Sequence, residues 1–593
     1  LLLAPLPPVF AADDAPAIET PVAATDYEVT LEGSPSDEVT ADLEAALNLF
    51  RYQEDGVPSV ALLRRRALDD RETARKVLRS HGYYEGQATV TVEPEADGKA
   101  AHVTVTVESG PAFRLERHDF ILQPTPLAEA LPKTDATTFG SPVGETAAAA
   151  AILNAEDTAV SSLQNNGFPY ARAAGREAVA DPEADTIAVT TTIETGPRVT
   201  FGDLQFEGTD NIDETYLRTY QPWQKDEPVS NRKLTAYQRS LMETGLFNAG
   251  AVILPEEPPE PGAAPVTAKM EQRPFRSIGL GASYSTDLGP RAEVDFTHRN
   301  LFGANETLRL EADAALVEQR LGAQFRKPQF RRDGQDLVSG LSLRRAEFDA
   351  YDETGATFTL GLERWLGEHW RVGLGGLAEV TETTASDVKG RAYLLGMPGF
   401  VEFDDTDNLL NPSGGWRFKL TGTPFAGQFD GAFTPFFSTE LKGSTYIDLT
   451  GEKRYIAAVR GRIGSILSGE LGDVPPGRRL FAGGGGSVRG YAERSLGPLD
   501  DDDDPIGGRS VAEIGVELRA QVYGDFGVAV FGAAGSVTED VVPTFSDGVQ
   551  TAAGLGLRYY SPLGPIRADV AVPLNPRDSD DSFQLYFSIG QAF

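Results

Sequence analysis

From about Phe275 to the terminal Phe593 the sequence breaks into many short segments that alternate apolar and polar residues, separated by Gly, Asp, Asn and Pro clusters. A period of two belongs to strands, because successive side chains point to opposite faces. Leu308, Leu310, Ala312 and Ala314 face one way, opposite Thr307, Arg309, Glu311 and Asp313. Leu321, Ala323 and Phe325 oppose Gly322, Gln324 and Arg326, and Ile566, Ala568, Val570 and Val572 oppose Arg567 and Asp569. A water-soluble sandwich alternates in this way, and so does a membrane barrel with one face to lipid and one to a wet lumen. No uninterrupted apolar run approaches the ~20 residues that a spanning helix needs. A membrane crossing by this chain therefore requires a closed barrel, which satisfies every backbone polar group without water. Some 320 residues, at roughly 20 per strand and connection, give about 16 antiparallel strands, an even number in the bacterial range.

The remaining composition narrows the chemistry. The chain has 593 residues, 40% of them apolar, and no cysteine, so it folds without disulfides, thiolate metal sites or a cysteine nucleophile. A formal net charge of −35 argues against a nucleic-acid partner, which needs a surplus of Lys and Arg on at least one face. The five His residues, 81, 102, 118, 298 and 369, lack ligand spacing, and no metal centre is expected. Neither a Gly-x-Ser-x-Gly elbow nor a credible carboxylate dyad is present; the expectation is a protein that is not an enzyme and needs no cofactor. The run Asp500 to Asp504 reads as a solvated acidic loop or as a site for divalent cations near lipopolysaccharide. Residues 1–25, opening Leu1-Leu2-Leu3-Ala4-Pro5, read as the tail of a secretory signal peptide that has lost its basic n-region, followed by a disordered stretch; a disordered apolar terminus is the other reading.

Before residue 275 the organising feature is repetition. A Gly step that closes a helix recurs at His81-Gly82-Tyr83-Tyr84, Asn166-Gly167-Phe168-Pro169 and Thr244-Gly245-Leu246-Phe247, where glycine suits a left-handed C′ position. Helical stretches from Asp70 to Ser80 and Glu156 to Asn165 precede two of them. Alternating strands follow: Val103, Val105 and Val107 in one copy, Ile187, Val189, Thr191 and Ile193 in the next. They end in Glu108-Ser109-Gly110-Pro111 and Glu194-Thr195-Gly196-Pro197, turns that join neighbours with almost no linker. Three α+β units are expected, 26–110, 111–197 and 198–272, each β-α-α-β-β, followed by the barrel at 273–593. A Pro-rich stretch, Leu254 to Pro265, reads as an elaborated loop, with alternation resuming from Val266 to Met270.

These modules resemble POTRA domains, and the barrel strings resemble the BamA/TamA outer-membrane assembly superfamily. The strings are Tyr284-Ser285-Thr286-Asp287 with His298-Arg299-Asn300-Leu301-Phe302-Gly303, similar to a first hairpin; Asp404 to Asn408 with Pro412 and Gly414-Gly415-Trp416; Gly507-Gly508-Arg509; Glu517-Leu518-Arg519; and Tyr559 to Arg567. Most informative is Gly483 to Tyr491, whose tip is Val488-Arg489-Gly490-Tyr491. Read alone, it is a flexible glycine-rich loop or a phosphate cradle, although neither a following helix nor a Lys supports the cradle. The resemblance implies an extracellular loop folded into the lumen, with Arg489 paired to an acid of the wall. Where the family often has Phe-x-Asp-x-Gly, this chain has Phe531-Gly532-Ala533-Ala534-Gly535, so the expected partner moves to Glu517, with Glu513 second.

With three modules the resemblance is closest to the TamA branch. It implies a Gram-negative outer-membrane location with the POTRA domains in the periplasm, contact with outer-membrane lipid, and a TamB-like inner-membrane-anchored partner. The clients implied are autotransporters and other β-barrel proteins, inserted or translocated through a weak seam between first and last strands. That seam is expected at Ile278, Leu280, Ala282 and Tyr284 on one side, and at Phe583, Leu585, Phe587, Ile589 and the terminal Phe593 on the other, with Gln591 breaking the alternation. A terminal aromatic resembles the signal that hands outer-membrane proteins to their assembly machinery. The alternative function is a two-partner-secretion exporter passing one dedicated substrate through the pore.

Overall fold

A computed structural model describes residues 26–95, 100–124, 136–257, 262–385, 388–546, 548–562 and 564–589. The expected signal remnant at 1–25, Leu563, Gln591 and Phe593 lie outside the described residues. By its internal contacts the chain divides into two compact units: residues 1–205, 222–238 and 251–269 in the first, and 206–221, 239–250 and 270–593 in the second. No helix among the described residues is long and apolar enough to cross a membrane.

Three three-stranded sheets precede the barrel, each built with the same strand order. In the first, Asp26–Glu32 runs parallel to the central strand Ala100–Glu108, which pairs antiparallel with Gln87–Pro94. The second repeats this with Arg114–Gln123, Thr186–Glu194 and Arg172–Asp181, and the third has the same strand order with Val199–Glu207, Gly262–Gln272 and Phe247–Ile253. The valines at 103, 105 and 107 are buried, as are Ile187, Val189, Thr191 and Ile193, so one face of each central strand carries the core. The helix count departs from a uniform pair. The first unit has Asp37–Ala46, a single turn Asn48–Arg51, and a helix Val60–Ser80 that starts ten residues ahead of the expected one. The charged face of this helix, rich in Arg, hides its start from a periodicity reading. The second shows Ala149–Gln164 among the described residues, and the third Glu214–Arg218 and Asn231–Glu243. The central strand of the third unit starts at Gly262, inside the stretch expected to be loop, because Pro265 is accommodated in the strand.

The joints explain the closing glycines. Gly82 and Gly167 have φ of +90° and +97°. Their carbonyls accept the N–H of Phe113 (3.0 Å) and Val199 (2.8 Å), residues that lead into the next sheet. The same contact thus ends one helix and positions the strand that follows.

Between Arg276–Ser285 and Gln584–Ile589 the chain forms a closed antiparallel barrel. Lys389–Gly396 and Gly399–Asp404 are one strand interrupted at Met397-Pro398, and Ala432–Phe433 extends Phe436–Asp448, which leaves sixteen strands. Leu310, Leu321, Val570 and Val572 are exposed on the outer face, while Glu311, Asp313 and Asp569 turn inward. Trp365, Trp370, Trp416, Tyr523, Phe526 and Tyr559 are all exposed near strand ends at the rim where the chain enters, the placement of an interfacial aromatic girdle. The string at 298–303 lies beyond the first hairpin, in the turn after strand Gly289–His298. There Asn300 donates to the Asn211 carbonyl (2.8 Å), Asn305 to the Tyr216 hydroxyl (3.0 Å) and the Thr244 carbonyl (3.1 Å), and Asp213 N–H to the Gly303 carbonyl (2.7 Å). This turn fastens the 206–221 and 239–250 segments to the barrel within the second unit.

One histidine gives the second of these modules a pH response. His118 is buried between the Ser141 and Thr191 hydroxyls, each 2.9 Å from a ring nitrogen, and burial holds its imidazole below the usual histidine range, Glu156 opposing the shift and Arg176 adding to it. The unfolded chain therefore binds the proton first. The stabilisation is fully present above the unfolded pKa of about 6.5 and is lost as pH falls through it toward the folded value. Calorimetry of the full chain in detergent is expected to show the transition of the N-terminal modules falling in temperature between about pH 7 and pH 5, and His118→Gln removing that fall. Identical curves at both pH values, or an unchanged fall in the variant, overturn the assignment.

Candidate functional site

The connection between Tyr455–Leu467 and Ser510–Tyr523, residues 468–509, carries much of the barrel's buried interior: Val474, Leu480, Phe481, Ala482, Val488, Tyr491 and Leu496 are all buried. Arg509 closes its base by donating to the carbonyls of Ser468 (3.1 Å), Gly469 (2.9 Å) and Glu539 (2.7 Å). Arg478 reaches across to Glu379 on strand Trp370–Thr384, Nε to Oε1 at 2.8 Å. Asp500 folds the acidic run on itself, its Oδ1 accepting the N–H of Asp502 and of Asp504, both at 2.9 Å.

The tip docks by close packing on small residues. Gly490, with φ of +115°, lies so near the wall that a Cβ there would stand 2.9 Å from Ala552 Cβ. Val488 fits against Gly535, where a Cβ would meet Val488 Cγ2 at 2.6 Å. The Phe531-to-Gly535 string thus gives the loop a floor rather than an acid, and Ala533 joins Val488 and Tyr491 in one buried cluster.

Arg489 is 1% exposed. Its Nη1 lies 2.8 Å from Glu517 Oε2 and 3.1 Å from Asp569 Oδ2, and the Phe531 ring centroid is 3.5 Å from its Cζ. Glu517 also accepts from Arg519 Nε at 2.7 Å, and Asp569 is shared with Arg558 and with Arg567 at 3.5 Å. Glu513, the second expected partner, instead holds the Ser487 hydroxyl (2.5 Å) and Arg462 (3.3 Å). Its side chain enters the lumen four residues along the strand from Glu517, beside the loop's glycines rather than its tip. Asp569 was missed as a partner; its polar-face position was readable from alternation, but not its meeting with a residue 80 positions away.

Loop and last strand are tied together as well. The Tyr586 hydroxyl accepts the Gly490 N–H at 3.2 Å and donates to the Tyr491 carbonyl at 3.4 Å, while the Tyr491 hydroxyl donates to the carbonyls of Thr551 (3.2 Å) and Asn575 (3.3 Å).

At the seam, first and last strands pair at Tyr284↔Phe587 and Ser285↔Tyr586, with Thr286 N–H donating to the Leu585 carbonyl at 3.1 Å. Ile278, Leu280 and Ala282 pair with the second strand and, among the described residues, not with the last. Phe583 precedes the last strand, which begins at Gln584, and Ile589 pairs with Ile566. Elsewhere the ladder runs as long as fifteen residue pairs, between Tyr351–Leu366 and Trp370–Thr384.

Residues 300–593 match the Omp85 superfamily domain. The chain belongs to the BamA/Omp85 superfamily. Among curated relatives, it is 28% identical over 338 residues to the outer membrane protein assembly factor BamA of Nitratidesulfovibrio vulgaris, covering 54% of this chain and 42% of that protein. It is 22% identical over 472 residues to BamA of Neisseria meningitidis serogroup B, covering 69% and 59%. The chain spans about half the length of the curated relatives it matches. Its fold is similar to the crystal structure of BamA from Haemophilus ducreyi lacking POTRA domains 1-3, with a TM-score of 0.63 at 19% identity over 73% of this chain and 92% of that one. This is an Omp85-family outer-membrane β-barrel protein, preceded by α/β units of mixed sheet consistent with POTRA domains.

Removing Arg489 takes two buried salt bridges and a cation–ring contact out of the cluster, and breaking a buried ion pair costs about 3–5 kcal/mol. Arg489→Ala is expected to destabilise the barrel by that order in urea unfolding monitored by heat-modifiable mobility, or to impair activity. Wild-type behaviour in both overturns the role. Double-mutant cycles are expected to couple Arg489 to Glu517 and to Asp569 by more than ~1 kcal/mol and to Glu513 by much less.

Proposed function

We propose that this protein is an assembly or translocation factor of the outer membrane, in which modules facing the periplasm deliver unfolded barrel or autotransporter clients to the barrel seam. The short pairing at Tyr284–Ser285 and Phe587–Tyr586 carries the reading. Strand Arg276–Ser285 keeps most of one edge without a partner among the described residues, and an edge of unpaired N–H and C=O groups templates an incoming strand. The outward Ile278 and Leu280, 71% and 79% exposed, suit an edge that works in lipid. The relatives' role as outer membrane protein assembly factors supports the same reading. On this reading the chain is not an enzyme and uses no cofactor. Its three modules favour a TamA-like role with a TamB-like inner-membrane-anchored partner.

The second reading, an exporter passing one substrate through the pore, is disfavoured by the occupied lumen: the 468–509 loop is buried there and bonded to several strands. A locked seam separates the two. Because the chain has no cysteine, Tyr284→Cys with Phe587→Cys gives one crosslink across paired residues. Oxidation is expected to stop insertion of a barrel client in reconstituted vesicles, and reduction to restore it. Full insertion with the seam closed overturns the proposal, and passage of a soluble substrate through the locked barrel favours the exporter.

A further inference from the structure

Six cationic side chains, Arg371, Arg417, Lys419, Lys442, Arg460 and Arg462, line a cavity of about 460 Å³ inside the barrel, against two carboxylates, Glu402 and Glu513. In a chain with a formal net charge of −35, that bias is local and built. The carboxylates at hand are divided between cations. Glu402 takes Arg371 (2.9 Å) and Lys419 (3.2 Å), and Glu440, behind the lining, takes Arg462 (2.6 Å) and Lys442 (2.8 Å). Arg417 has Asp404 at 2.7 Å, and Arg371 extends to Glu363 at 3.3 Å, an acid that Arg326 already holds at 2.8 Å. Adding these acids behind the wall still leaves the cavity's cations in excess. The Nε of Arg371 is buried and has no hydrogen-bond acceptor among the described residues. Nearby, Arg489 of the loop and Arg519, Arg558 and Arg567 of the wall share Glu517 and Asp569, which adds charge of the same sign.

Positive charge held at close range in a protein interior is costly unless an anion balances it. Four of the six cations are guanidinium groups, whose planar forks match the oxygens of phosphate, and the two lysines supply mobile ammonium groups. We propose that this cavity binds a multivalent phosphate-class anion, such as a diphosphate or the phosphorylated headgroup of a lipid. Phe400 forms part of the same apparatus: its ring lies 4.6 Å from Lys419 Nζ and 5.5 Å from Arg371 Cζ, and so holds both cations beside Glu402. Arg460 donates to the carbonyl of Gly486, so the bound anion sits against the glycine-rich segment of the lumen loop and stabilises its inward position.

The test uses the full chain in detergent and inorganic pyrophosphate as the probe, followed by calorimetric titration. Saturable binding that weakens with ionic strength is expected. Lys419→Ala with Lys442→Ala is expected to weaken it about tenfold or more, while Lys419→Arg with Lys442→Arg retains it. Both lysines are substantially exposed, 41% and 59%, so the barrel should fold without them, and equal melting temperatures verify this. Lys442→Ala alone, the more exposed position, serves if the double variant fails to fold. No saturable heat with the wild type, or unchanged affinity in the alanine variant, overturns the proposal. Repeating the titration in nanodiscs assigns the source. Weaker apparent pyrophosphate binding in phosphatidylglycerol than in phosphatidylcholine means that a lipid headgroup occupies the site; equal binding in both means a soluble anion does.

Discussion

The burial of the Arg489 guanidinium is the interaction on which the barrel interior depends. A charge with 1% exposure needs compensation from fixed groups, and here two carboxylates on different strands converge on one nitrogen. Glu517 stands on Ser510–Tyr523 and Asp569 on Gly564–Pro573, with strands Phe526–Thr538 and Gln550–Ser561 between them. The salt bridges therefore span the curvature of the wall, and the Phe531 ring, on one of the intervening strands, lies against the guanidinium face. Moving the loop outward would take the Arg489 guanidinium from both acids and from the Phe531 ring at once, so the inward position is all-or-none in character rather than gradual.

That lock bears on the seam. Among the described residues the last strand, Gln584–Ile589, meets the first at two paired positions, yet Tyr586 is fixed from inside by the backbone of Gly490 and Tyr491. The last strand is thus steadied by six paired residues on Gly564–Pro573 and by the loop, while two paired residues join it to the first strand among the described residues. The other end of the same economy is the turn at 299–306, where Asn300 and Asn305 secure the 206–221 and 239–250 segments to the second and third strands. The first strand lies between a second strand anchored at that turn and the two-residue seam, the arrangement an opening edge requires.

Much of the architecture was legible because period-two alternation reports which side of a wall a residue faces, and sixteen strands in about 320 residues follow from spacing alone. The closing glycines at 82 and 167 were legible for a similar local reason, since only a left-handed position explains glycine at a helix end followed by an apolar residue. Contacts set by register were not legible. Nothing in the local sequence says that Asp569 reaches Arg489 or that Tyr586 touches Gly490, because those meetings depend on how far each strand is sheared against the next. Helix Val60–Ser80 was underestimated for a different reason: its solvent face is a run of Arg and Asp, and a short buried stripe of Leu63, Ala67, Ala74 and Leu78 is easily lost in such a sequence.

The Phe531-to-Gly535 string shows how one departure from a family pattern is absorbed. An acid at position 533 would project from the strand that also carries Phe531 and Gly535 and would stand beside Val488. Alanine there lets Val488 and Tyr491 pack against the wall, and Gly535 admits the valine at a distance no side chain would allow. The neutralising charge then has to come from elsewhere. It comes from Glu517 on the adjacent strand and from Asp569 two strands away on the other side, each already engaged by wall arginines. Replacing one local acid by two flanking ones converts a contact between a loop and a single strand into a tie across several, so the small residue at 533 is a cause of the wider lock and not a gap in it.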